Sequence, residues 1–146
     1  MIRIIIFNLV LVAVAFYAVR RGGGPERAVA ASMIVAAIAS ALVSLSTRAN
    51  FEVVVVLLLV VDVLLFAVVA AIAVYANRFW PLWIAALQLD AIAIHIIKAY
   101  DREILPVIYA WSSGQIAYPM LLLLAWGTAR HRKRVETSGL DRSWSI

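Results

Sequence analysis

Long apolar runs, each closed by charged or turn-forming residues, divide the chain into Ile2 to Val19, Ala28 to Ser46, Val53 to Ala76, Phe79 to Ile97 and Ile104 to Gly127. About 20 apolar residues is the length an α-helix needs to cross the ~30 Å hydrocarbon core of a bilayer. The runs are continuous rather than alternating, which excludes a transmembrane barrel. The pattern predicts an all-α membrane protein, a bundle of five transmembrane helices. The joins carry matching chemistry: Gly22, Gly23, Gly24 and Pro25 break the first connection, and Asn50 and Asp101 are placed to cap the third and fifth helices. Pro81 and Pro106 fall in first turns, where a missing N–H costs nothing.

Composition agrees with that pattern. Of 146 residues, 66% are hydrophobic and 14% charged, with a mean hydropathy of +1.00; soluble domains carry about 25% charged residues. Five spans consume the chain, so no soluble catalytic domain is expected, and the protein reads as a non-enzyme. The apolar segment of Met1 to Ala15 has the small residues of a signal-peptide cleavage site at Ala13 and Ala15, but continues through Val19 and is expected to stay as the first span. There is no cysteine, hence no disulfide and no thiolate metal site.

The net charge of +5 is distributed unevenly. With five spans, nine Lys and Arg residues fall on one side, against only Arg3, Arg48, Lys98 and Arg102 on the other. The positive-inside rule then places the N-terminus outside and the C-terminus in the cytoplasm, most simply in a bacterial inner membrane. This basic side predicts contact with anionic lipids and not nucleic acid, because its charge sits in short juxtamembrane segments. The chain divides into a bundle, residues 1–129, and a basic tail, residues 130–146. Arg130, Arg132, Lys133 and Arg134 are expected to anchor on lipid or a partner, with Trp144 as the tail's own anchor. Phe79, Trp80, Trp83 and Trp126 are expected to form an aromatic belt at that side.

Ala28, Ser32, Ala36, Ser40 and Ser44 recur at every fourth position of the second helix, a ridge that lets another helix approach closely, inside this bundle or from another subunit. Polar residues inside spans are costly and mark function by default. Asp62 and Asp90 both sit roughly 2 to 4 Å to the outer side of the midplane at 1.5 Å rise per residue. Asn8, Gln88, Ser112, Ser113 and Gln115 lie near the same depth, and Pro119 is expected to kink the fifth helix and free the Gln115 carbonyl. Two readings stand side by side: a proton or cation site using Asp62, Asp90, Gln88, Gln115, Ser113 and Asn8, or neutral carboxyls that only staple helices.

His95 lies on a different face from Asp90 and reads as an interfacial histidine, a proton relay or an axial ligand. Ala91 to His95 resembles the Ala-x-x-x-His segment of light-harvesting polypeptides over one helical turn, which implies a chlorophyll or haem on His95. A bis-histidine haem would need a second membrane histidine, and His131 lies in the basic tail. No phosphate loop or Glu-x-x-His pair is present. The expectation is a non-catalytic accessory or scaffold subunit of a larger membrane complex or a homo-oligomer. The alternatives are a small proton- or cation-conducting protein and a pigment- or haem-binding subunit; which cofactor, if any, is left open.

Overall fold

The structure, a computed structural model, describes residues 2–46, 51–100, 115–141, 143 and 144. Among the described residues there are five helices: α1 (Ile2–Arg21), α2 (Gly24–Ser46), α3 (Phe51–Tyr75), α4 (Trp80–Tyr100) and α5 (Ala117–Ser138). Among the described residues, α1 to α4 are long and apolar enough to cross a membrane. Consecutive helices pack together, and α5 closes the ring against both α4 and α1. The side chains of Lys98 and Tyr100, and residues Arg48, Asn50, Asp101, Arg102, Glu103, Pro106, Ser112 and Ser113, lie outside the description.

Local chemistry explains the ends. Arg20 and Arg21 close α1, where cations complement the helix dipole. After a two-residue turn, Pro25 and Glu26 enter the first turn of α2, and Gly23 donates its N–H to Glu26 Oε2 at 3.1 Å. This is the carboxylate half of a capping box. Gly139 ends α5 in a left-handed conformation, φ 71°, donating to the Val135 carbonyl.

Four helices match the apolar runs within a few residues. The fifth differs: α5 ends at Ser138, eleven residues past the expected end of the span at Gly127, and so runs through the expected boundary at residue 129. The last turns of α5 are polar, and the Arg132–Glu136 pair at i,i+4 supports them at 2.6 Å. Pro119 falls in the first turn of α5, just after an interruption of the helix at Ile116, and most of the segment before the expected kink lies outside the described residues.

The core lies toward one end. Ala15 and Ala18 of α1, Val29 and Ala30 of α2, Val69 and Ile72 of α3, Ile84 of α4 and Leu124 of α5 pack there. It is the end at which Arg20, Arg27, Arg78 and Arg130 also sit, hereafter the basic end. Small residues set the spacing: a Cβ on Gly127 would lie 2.6 Å from the Trp80 ring, so α5 crosses α4 at the glycine. Trp80 is consequently buried, whereas Phe79, Trp83 and Trp126 remain exposed. Away from this end Ile5, Leu9, Leu42 and Val56 face outward, as lipid-facing residues would.

The small-residue ridge of α2 is half-buried from Ala28 to Ser40 and exposed at Ser44. Ser32 and Ser44 donate to the Val29 and Ser40 carbonyls of their own helix, both at 2.8 Å. These two hydroxyls therefore satisfy themselves locally.

Candidate functional site

The inward stripe of α4 carries the chemistry. Successive helical residues turn by about 100°, so Gln88, Ala91 and His95 share one face while Asp90 points about 200° away from Gln88. Gln88 and His95 are buried accordingly, and Asp90 is exposed. On α3, Asp62 lies on the stripe that continues through Val69 and Ile72, and α3 packs directly against α4.

Asp62 therefore meets two side chains of α4. Gln88 Nε2 donates to Asp62 Oδ1 at 2.9 Å and reaches its backbone carbonyl at 3.3 Å. His95 Nδ1 lies 3.1 Å from Asp62 Oδ2 and 3.1 Å from the Ala91 carbonyl. Both of those oxygens are natural acceptors, which assigns the hydrogen to Nδ1. The side chain of His95 is 7% exposed and that of Asp62 22%. Donors thus cover both carboxylate oxygens. Among the described residues no group of three metal-ligating side chains occurs.

The other residues expected at this depth are elsewhere. Asn8 is exposed and donates to the Ile4 carbonyl of its own helix at 2.8 Å. Gln115 is exposed just before α5. Asp90 shares Asp62's depth but not its side of the helix, so the expected carboxylate pair is not formed. Ser113 lies outside the described residues. Ala93 is exposed on the outer face of α4, whereas His95 is directed inward.

A second charged cluster joins the basic end, and the residue pattern alone did not reveal it. Glu26 is fully buried, with Oε1 3.7 Å from Arg78 Nε. Arg78 also binds Asp141 Oδ2 at 2.5 Å, an oxygen that His131 Nδ1 approaches at 2.7 Å and Arg134 Nε at 3.1 Å. Burial opposes the charge on Asp141. The hydrogen bonds of His131 and Arg78, with the charges of Arg78 and Arg134, outweigh that and hold its carboxyl below the usual range.

Asp141 belongs to a strap that folds back from α5. Asn77 donates its N–H to the Ser143 carbonyl at 3.3 Å, and Ala76 pairs with Trp144 in an antiparallel bridge. The Trp144 indole covers Gly24, where a Cβ would fall 2.5 Å from Nε1. Trp144, expected to anchor a partner, is anchored on its own chain. The missed signal was Glu26: an acid three residues after Gly23 marks a helix start, and Arg78 in a short turn is its natural counter-ion. No protein family, curated protein or solved structure matches this chain.

Proposed function

We propose that this protein is a small proton-conducting membrane protein that loads protons on Asp62 and His95. The observation that carries this reading is the 3.1 Å approach of His95 Nδ1 to Asp62 Oδ2 between two helices long enough to span a bilayer. A lone intramembrane carboxylate costs ~2.5 kcal/mol or more. An imidazole beside it can take a proton at one nitrogen and release it from the other, so a proton can pass between His95 and Asp62 with no change in the net charge of the pair. His95 lies toward the end opposite the basic one, and protons enter from there. Val69, Ile84, Leu121 and Leu124, all buried, separate Asp62 from Glu26, so passage to the basic end requires that apolar layer to part.

In the full reading the chain has five spans, its N-terminus outside and its basic end in the cytoplasm of a bacterial cell. The charge asymmetry supports that orientation. The test is proton flux into vesicles reconstituted with the full chain, driven by a membrane potential. Asp62→Asn and His95→Gln should each abolish it while the protein stays folded, and Asp90→Asn should leave it intact. A wild-type protein without flux, or an Asp62→Asn variant that conducts normally, overturns the proposal.

Asp90 favours a second reading, that of an accessory subunit. A carboxyl on the exposed face of α4, midway along a span, is costly against lipid and would be relieved by a neighbouring membrane subunit. Co-purification from native membranes, with Asp90→Leu as the variant that loses the partner, tests it.

A further inference from the structure

The basic residues of α5 divide into those already compensated and those that are not. Arg132 binds Glu136, and Arg134 binds Asp141. Among the described residues, neither Arg130 nor Lys133 meets a carboxylate, and both are exposed. They line one groove of about 480 Å³, together with Trp126, Arg134, Thr137 and Ser138. The spacing of residues 126, 130, 133, 134 and 137 puts them on one face of the helix. Arg130 is stacked 4.8 Å over the Trp126 ring, which holds one wall of the groove in place.

The depth of this groove is set by packing. Gly127 abuts Trp80 at the first turn of α4, so the groove starts where the apolar spans end and runs outward along α5. Exposed Trp126, Phe79 and Trp83 lie at that boundary, the level of lipid phosphates. No carboxylate lines the groove.

We propose that Trp126, Arg130, Lys133 and Arg134 form a binding site for the phosphate headgroup of an anionic phospholipid. The two uncompensated cations supply charge, the tryptophan ring seats the glycerol level, and Arg134, tied back by Asp141, gives a positioned third donor. This rests on the bundle spanning a bilayer but not on proton conduction, which a separate flux assay reads.

The experiment uses the full chain in mild detergent and counts lipids retained in native mass spectra, comparing phosphatidylglycerol with phosphatidylcholine of the same acyl chains. Retention should favour phosphatidylglycerol by about tenfold or more, given two cations at the surface. Arg130→Gln with Lys133→Gln should remove the preference, while Arg132→Gln, whose side chain pairs with Glu136, should keep it. Lys133→Glu alone, which leaves the Trp126 stack intact, should also lower it, and melting temperatures confirm that each variant is folded. Equal retention of the two lipids by the wild type, or an undiminished preference in the double variant, overturns the proposal. Loss of the preference in millimolar inorganic phosphate would reassign the groove to the free anion and overturn the lipid assignment.

Discussion

The two charged clusters of this bundle handle an interior charge in opposite ways. At the basic end, Glu26, Arg78, His131, Arg134 and Asp141 come from two helices, the α3–α4 turn and the strap, and Asp141 Oδ2 alone collects three donors. Midway along the helices, Asp62 has one imidazole and one amide, both from α4. The first arrangement ties several segments together around a fixed set of charges. The second joins only two helices, and on the proposed reading its proton is the one gained and lost. Many partners make a clamp, and few make a switchable site.

The largest test of that difference is Arg78→Ala. The arginine is 4% exposed and faces two carboxylates, so its loss strands Glu26 and Asp141 without their shared counter-ion. Breaking one partner of a buried network costs about 3 to 5 kcal/mol. Denaturant unfolding of the purified protein in micelles should show a loss of that order. A change under ~1 kcal/mol would place the cluster with solvated surface pairs and erase the contrast.

A smaller effect separates the two aspartates. Asp62→Leu leaves Gln88 Nε2 and His95 Nδ1 without their shared acceptor and should cost about 1 to 2 kcal/mol. Asp90→Leu replaces an exposed carboxyl on α4 with an apolar group suited to lipid, and should be neutral or stabilising. Opposite signs in the same unfolding assay support the inward and outward assignments. Equal losses would return both carboxyls to one environment.

That pair also shows how far the residue pattern reads. Hydropathy located α1 to α4 because span length follows from bilayer thickness. It did not reach the end of α5 at Ser138, since the last turns are polar and only pairs such as Arg132–Glu136 mark them. Depth along a helix was legible, and it grouped Asp62 with Asp90. The missing coordinate was rotation about the axis: Gln88 and His95 are seven residues apart and so nearly aligned, while Asp90 is turned away. The basic-end cluster was harder still, because Glu26 and Asp141 are 115 positions apart in the sequence and meet only through the Arg78 turn.

The mildest test concerns the strap. The carboxyl of Asp141 sits below the ordinary value near 3.9, because its hydrogen bonds from His131 and Arg78 and the nearby positive charges overcome its burial. A depressed carboxyl contributes its stability above the unfolded value and loses it as pH falls through the folded one. The strap should therefore stay docked at neutral and mildly acid pH and loosen only below about pH 4. Fluorine NMR of protein carrying fluorotryptophan, with Trp144→Phe to assign the signal, follows the indole as it leaves Gly24. Asp141→Asn keeps the shape but not the charge, and should loosen Trp144 at pH 7 to the extent that acid loosens the wild type. If the variant stays docked at every pH, the Asn77–Ser143 hydrogen bond and the Ala76–Trp144 bridge hold the strap without Asp141. The clamp at the basic end would then consist of Glu26 and Arg78 alone.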